Sequence, residues 1–242
     1  MKNSDADFCG RPAHEAVAAR GRIRSFVRRE GRMTPAQRRA LAELWPQFGI
    51  APGSGLLSPQ AVFGRRAPLA LEIGFGNGEA LAQLAGQRPE WNFIGMEVHR
   101  PGIGALLRKL HQQSLSNVRV ICADAAAALC DSIPDASLDL LMLFFPDPWP
   151  KKRHHKRRLV QEDFAALCCR KLRPGGMLHA ATDWRDYAVQ MMEVFSACPQ
   201  LQNTAGENRY GKRPPHRPVT RFEKRGAGLG HATLDLIFIR RG

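Results

Sequence analysis

The segment Leu69-Ala-Leu-Glu-Ile-Gly-Phe-Gly-Asn-Gly78 limits the possible folds of this chain more than any other. A short apolar run that stops at closely spaced glycines reads as a buried strand entering a tight turn. The pattern then repeats. Glu79–Gln87 has helical composition and leads to a strand at Phe93–Val98. Gly102–Gln113 reads as a helix before the strand Val118–Ala123, and Ala125–Cys130 as a short helix before the apolar run Leu138–Phe145, closed by Pro146. Val160–Leu172 is a helix stopped by Pro174-Gly175-Gly176; Met177–Ala181 is a strand, Trp184–Ala197 a helix and Ala232–Arg240 a last strand. Strands that are apolar throughout, rather than on alternate residues, are buried on both faces. The expected fold is therefore α/β: a mostly parallel sheet with helices on both faces.

Before residue 66 the pattern differs. Arg20–Arg32 reads as a basic arm, Thr34-Pro35 as a helix start, Ala36–Leu44 as a short helix, and 46–64, with its Pro and Gly, as a loop. This divides the chain into a basic arm with a short helix, 1–65, and a catalytic domain, 66–242. Hydrophobic residues make up 44% of the chain, enough for a full core. No apolar run approaches the ~18 residues of a membrane span, and the N-terminus lacks the apolar stretch of a secretory signal. The six cysteines, at 9, 122, 130, 168, 169 and 198, form no CxxC pair. Reduced thiols, no metal and a cytoplasmic location are expected.

A parallel sheet binds its ligands beyond the carboxyl ends of its strands. Gly74, Gly76 and Gly78 follow the first strand, Glu97 ends the second, and Asp124, Asp147 and Asp183 follow the third, fourth and fifth. One such acid could simply cap a helix; four on the same edge point to a ligand. A dinucleotide fingerprint would need glycine at 79, where Glu79 instead puts negative charge at the place a pyrophosphate should sit. The acids suit a ligand without phosphate that carries amines and a positive centre. S-adenosylmethionine fits, with its α-amino group, sulfonium, ribose diol and adenine amine. Glu97 is placed to accept from both ribose hydroxyls, Asp124 to take the adenine amine, and Glu72 with the glycine turn to hold the methionine end.

The exterior has the opposite sign. Lys and Arg number 36 against 22 acids, a net charge of +14, and the excess is clustered. Nine arginines lie between Arg11 and Arg39, six cations plus His154 and His155 between Lys151 and Arg158, and seven basic residues between Arg209 and Arg225. Three such clusters, rich in arginine, point to a polyanion, most simply a nucleic acid.

The two halves of this reading meet in particular segments: Arg24-Ser-Phe-Val-Arg-Arg-Glu-Gly-Arg32, Leu71-Glu-Ile-Gly-Phe-Gly76, Phe93-Ile-Gly-Met-Glu-Val-His99 and Phe144-Phe-Pro-Asp-Pro-Trp149. Lys152-Arg-His-His-Lys-Arg-Arg158, Ala181-Thr-Asp-Trp184 and Arg217-Pro-Val-Thr-Arg-Phe-Glu223 continue them. From about residue 20 onward the chain resembles the bacterial tRNA (guanine-N7)-methyltransferase family. The resemblance implies a Rossmann-like class I S-adenosylmethionine-dependent methyltransferase fold. It implies methyl transfer to N7 of a guanosine in the tRNA variable loop, conventionally position 46. It also implies that Glu72, Gly74, Gly76, Glu97, Asp124 and Asp147 bind the cofactor, Asp147 lying at the reacting centre. Lys151, Asp183, Thr220, Arg221, Phe222 and Glu223 would contact the guanosine, and Arg153, His154, His155, Lys156, Arg157 and Arg158 the RNA. The partner is tRNA; monomer and homodimer both remain open. Asp147-Pro148-Trp149 also faintly resembles the acid-Pro-Pro-aromatic motif of enzymes that methylate exocyclic amines. A methyltransferase acting on another nucleic-acid atom, a non-catalytic RNA-binding protein on the same fold and, more weakly, a nicotinamide dehydrogenase are the alternatives.

Overall fold

The computed structural model describes residues 32–242 apart from 52, 54, 215, 216, 220–222, 224–227, 229 and 231. The arm up to residue 31 and the candidate residues Thr220, Arg221 and Phe222 lie outside the described residues. The elements run α1 (Pro35–Phe48), β1 (Gly49–Ile50), α2 (Pro59–Phe63), β2 (Leu69–Ile73), α3 (Glu79–Gln87), β3 (Asn92–Met96), α4 (Arg100–Gln112), β4 (Val118–Ile121) and α5 (Ala125–Ser132). They continue with β5 (Leu138–Phe144), a 3-10 helix (Lys152–Arg157), α6 (Glu162–Lys171), β6 (Leu172–Thr182), α7 (Arg185–Ser196), β7 (Leu201–Asn203) and β8 (Leu234–Arg240).

One sheet has the order β1-β4-β3-β2-β5-β6-β8-β7. Strands β1 to β6 are mutually parallel, and β8 runs antiparallel to both β6 and β7. The chain leaves β2 toward β3 and β4, then returns to its other side at β5, so the strand order reverses between β2 and β5. The two sheet faces carry separate cores. Leu71, Ile73, Ile94, Met96, Leu141 and Leu143 face α5, α6 and α7. Ala70, Phe93, Val120, Met142 and Phe144 face α1, α3 and α4. This two-sided burial is why the central strands are apolar at every position.

Register brings the strand ends to one edge. Ile73 pairs with Met96 and with Leu143, Met96 with Ile121, and Phe144 with Ala181. The residues that follow these pairs therefore share one crevice at the point where the order reverses.

Several elements depart from the sequence reading. Helix α1 continues through Pro46 to Phe48, and Gly49 N–H closes its last turn on the Trp45 carbonyl. Its start is as expected: Thr34 and Gln37 form a reciprocal capping box. The 46–64 loop contains β1 and α2, and α1 packs Ala40, Leu41 and Phe48 into the core beside α4. Strand β6 begins at Leu172, not Met177, because Pro174-Gly175-Gly176 bulges out between the pairs Leu138–Leu172 and Leu140–Met177. Cys130, Cys168, Cys169 and Cys198 are free thiols. Among the described residues no helix is long and apolar enough to cross a membrane, and no cluster of His, Cys, Asp or Glu could hold a metal.

Candidate active site

The glycine turn opens the crevice. Gly74, Gly76 and Gly78 take φ of +72°, +57° and +69°, which only glycine adopts without strain. A Cβ on Gly74 or Gly76 would meet nothing within 4 Å, so the turn faces open space. Behind it, a Cβ at Gly102 would lie 2.2 Å from the Gly76 carbonyl, so only glycine lets α4 approach this closely.

Glu97 is locked to that turn. Oε2 accepts from Gly76 N–H at 2.9 Å, and Oε1 from Val98 and His99 N–H at 2.8 and 3.0 Å. A carboxylate has about four acceptor sites. With three occupied, one full site remains for a ligand. Asp124 caps α5 through Ala127 N–H at 3.1 Å, so the helix-cap role and the crevice position coincide in one residue. Glu72 is different. It sits within β2, on the face of Ala70 and Met142, and is 3% exposed. Its Oε2 has no hydrogen-bond partner among the described residues. Burial first, and then the charge of Glu97, push its pKa up to about 8.

Asp147 follows β5 as an exposed residue in a loop that is otherwise mostly half-buried. Pro146 and Pro148 flank it, and Phe145 and Trp149 on either side of them take φ of +51° and +44°. Bulky residues rarely enter the left-handed region, and strain of this kind costs about 1–3 kcal/mol per residue unless the surroundings impose it. Phe145 N–H is held by the Ala181 carbonyl at 2.8 Å. Asp183, half-buried, follows β6 on the same edge.

Comparison with known proteins decides what this crevice belongs to. A family model described as "Putative methyltransferase" matches residues 66–236. The tRNA (guanine-N(7)-)-methyltransferase of Alcanivorax borkumensis is 55% identical over 220 residues, covering 91% of this chain and 92% of that protein. The chain belongs to the tRNA (guanine-N7)-methyltransferase family. The member from Alkalilimnicola ehrlichii is 53% identical over 229 residues, covering 94% of this chain and 96% of its own. The fold is also that of the 16S rRNA (adenine(1408)-N(1))-methyltransferase from Catenulisporales acidiphilia, with a TM-score of 0.51 at 16% identity, covering 77% of this chain and 94% of that one.

In this member of the tRNA (guanine-N7)-methyltransferase family the cationic run directly follows the Asp147 loop. It forms the 3-10 helix, with Lys151 capping it and Lys151, Lys152, Arg153 and Lys156 exposed. His154, His155 and Arg157 are half-buried. The Arg157 guanidinium stacks 5.0 Å from the Trp149 ring and His154 meets that ring edge-on at 5.8 Å. Desolvation, then the cations Arg153, Arg157, Lys151 and Lys156, lower the His154 pKa from its ordinary value. Arg158 departs from the expectation of an RNA contact: its side chain is 1% exposed and faces inward. Trp184 packs partly into the core.

A second buried network was not read from the sequence. Arg217 donates from Nη1 and Nη2 to the two oxygens of Glu223 at 2.7 and 3.0 Å, and from Nη2 to Asp235 Oδ2 at 3.0 Å. Asp235 in turn lies 2.7 Å from His179 Nε2. Glu223 is thus anchored through Arg217 to β8 and β6. Burial pushes the Asp235 carboxyl up, but the bonds from His179 and Arg217 outweigh it and hold the pKa below the usual range. The sequence carried one signal: His179 and Asp235 are ionisable residues inside otherwise apolar strands, and such residues need buried partners.

Proposed function

We propose that this chain transfers a methyl group from S-adenosylmethionine to N7 of guanosine 46 in the tRNA variable loop, in the cytoplasm. One juxtaposition carries the reading. An acid-lined glycine turn and the Asp147 loop share one sheet edge, and an exposed cationic helix begins immediately beyond that loop. The residues fit the cofactor: among the described residues Glu72 has a buried carboxyl oxygen without a partner, Glu97 keeps one acceptor site, and the turn faces open space. Bound there, S-adenosylmethionine supplies the methyl group as a sulfonium.

The chain's own work is positional and electrostatic. Guanine N7 carries a lone pair and no proton, so no general base is needed. Good alignment alone contributes up to ~7–11 kcal/mol in favourable systems. Methylation leaves the five-membered ring cationic, and the Asp147 carboxylate stabilises charge developing on the base. Asp183 and Glu223 accept from guanine N1–H and the N2 amine, a donor pair adenine lacks. Arg217 binds both oxygens of Glu223, each of which has more than one acceptor site. Lys151 steadies the guanosine, and Arg153, His154, His155, Lys156 and Arg157 grip the RNA backbone.

The test is incubation with methyl-labelled cofactor and bulk tRNA, followed by nucleoside analysis and mapping. Label in 7-methylguanosine at position 46 is expected. Label in another nucleoside selects the other-atom methyltransferase, and no transfer with intact cofactor binding selects the non-catalytic RNA-binding reading.

A further inference from the structure

Arg158 ends a run of cations and is indistinguishable in sequence from its neighbours. Its surroundings are not. Nε donates to the Pro148 carbonyl at 2.8 Å, Nη1 to Gln190 Oε1 at 2.7 Å, and Nη2 to Asp186 Oδ2 at 2.5 Å. Nη2 also lies 3.0 Å from His155 Nε2, and the guanidinium plane sits 4.8 Å from the Tyr187 ring. The neighbouring bonds close the structure around it. Gln190 donates on to the Val160 carbonyl at 3.0 Å, and Val160 N–H donates to the Tyr187 hydroxyl at 3.1 Å. Gln161 binds the carbonyls of His155 and Arg158 at 3.1 and 3.2 Å. A guanidinium with 1% exposure and these partners cannot reach a phosphate.

What it does reach is the carbonyl next to Asp147. Pro146 and Pro148 have no N–H to donate, so this loop cannot pin itself by backbone donors at those positions. It is strained at Phe145 and Trp149, and strain persists only where surroundings over-determine it. Arg158 ties the loop's Pro148 carbonyl to α7, through Asp186 and Gln190, with one planar group that fixes three directions at once. A lysine, with one flexible ammonium, cannot reproduce that fork.

We propose that Arg158 is a positioning residue for the reaction: it fixes the Asp147 loop against α7, and it does not bind RNA. The proposal rests on the reading that Asp147 acts at the reacting centre. The test is steady-state methylation of tRNA by Arg158→Lys, with cofactor affinity by calorimetry and tRNA affinity by filter binding across a salt series. Misplacing a reacting group by about 1 Å can cost ~10²-fold. Arg158→Lys is therefore expected to lose about 10- to 100-fold in kcat on that scale. KM for tRNA, cofactor affinity and the salt slope should stay as in the wild type. A wild-type kcat overturns the proposal, as does a changed salt slope, which marks a phosphate contact. The double variant Asp147→Ala/Arg158→Lys should be no slower than Asp147→Ala, since an anchor has nothing left to position. Additive losses overturn the proposal. Normal turnover in Asp147→Ala overturns instead the reading of Asp147. Should Arg158→Lys fail to bind cofactor, Gln190→Ala replaces it. That variant removes the Nη1 partner, together with the Gln190 bond to the Val160 carbonyl, leaves the Nε and Nη2 bonds in place, and should lower kcat several-fold with the same unchanged KM; wild-type kcat there refutes the anchor.

Discussion

Glu72→Gln separates a buried acid that serves the fold from one that waits for a ligand. With a pKa of about 8, the Glu72 carboxyl is mostly protonated at pH 7 in the unliganded protein. A ligand cation beside it favours the ionised form, so cofactor binding should expel a proton. Ionising the group one unit below its pKa costs about 1.4 kcal/mol, a factor of about ten in affinity. The α-amino group of the cofactor titrates in the same range, so the useful quantity is the affinity of wild type divided by that of Glu72→Gln. That ratio should rise by nearly tenfold per pH unit from 6 to 7 and level off above 8. Calorimetry in two buffers of different ionisation enthalpy should show close to one proton released at pH 7 by the wild type beyond that of Glu72→Gln. A flat ratio and equal proton release would refute the assignment of Glu72 to the cofactor.

The same substitution has an opposite effect on the empty protein. The folded pKa lies above the ordinary carboxyl value of 4.5, so the neutral form is the one the fold accommodates. Its contribution to stability is complete below about 4.5 and is lost as pH rises through 8. At about 1.4 kcal/mol per unit, the loss across that window has an upper limit of about 5 kcal/mol. Glu72→Gln should therefore raise Tm at pH 8 by more than at pH 5, while weakening cofactor binding. A Tm gain independent of pH would show that the carboxyl ionises freely in the fold.

Three further outcomes follow from the site. Asp147→Ala should keep its fold and cofactor affinity and lose ~10²–10³ in turnover, the usual effect of removing one well-placed electrostatic group; near-normal turnover at saturating substrates would sink that role. Arg153→Ala/Arg157→Ala should weaken all tRNAs alike and make the slope of log affinity against log salt shallower by about 1 to 2, read by filter binding, with an identical slope meaning a merely solvated face. Asp235→Asn strips Arg217 and His179 of a buried partner and should cost about 3–5 kcal/mol at pH 7. Because the folded pKa of Asp235 lies below 3.8, its contribution is present above that pH and fades as pH falls through the depressed folded value. Thermal melts of wild type and Asp235→Asn should therefore converge at acid pH, and a constant gap would refute the linkage.

The central strands were legible because burial on both faces leaves an unbroken apolar signature, and the glycine turn because three left-handed positions leave no other residue a comfortable choice. Strands of two and three residues, β1 and β7, carry no period to read. The 3-10 helix was hidden by its composition, since a run of cations reads as a solvated face whatever its backbone does. Pro174-Gly175-Gly176 reads as a break, but the sheet pairs on both sides of the bulge. Arg157 and Arg158 show the limit most plainly. They are adjacent and identical, yet one stacks on Trp149 near the surface and the other is enclosed by Asp186, Tyr187 and Gln190 of α7. Those partners lie some thirty residues away, and no local pattern links them to either arginine.

The acids of the crevice divide by when they act. Methyl transfer moves one positive charge from the sulfonium to the guanine ring and leaves the total unchanged. A carboxylate that feels the cationic cofactor equally before and during transfer lowers both states together and gains nothing in kcat. On the proposed function, Glu72, buried within β2 behind the glycine turn, and Glu97, locked to that turn by three backbone N–H groups, would hold the cofactor end and belong to this kind. Asp147 stands beyond the end of β5, on the loop that leads to the cationic 3-10 helix, so on the proposed function it would meet the charge arriving on the base. Losses at Glu72 or Glu97 should therefore fall on cofactor affinity and vanish at saturating cofactor, whereas the loss at Asp147 should persist. If saturating cofactor restored Asp147→Ala and failed to restore Glu72→Gln, the division would be reversed.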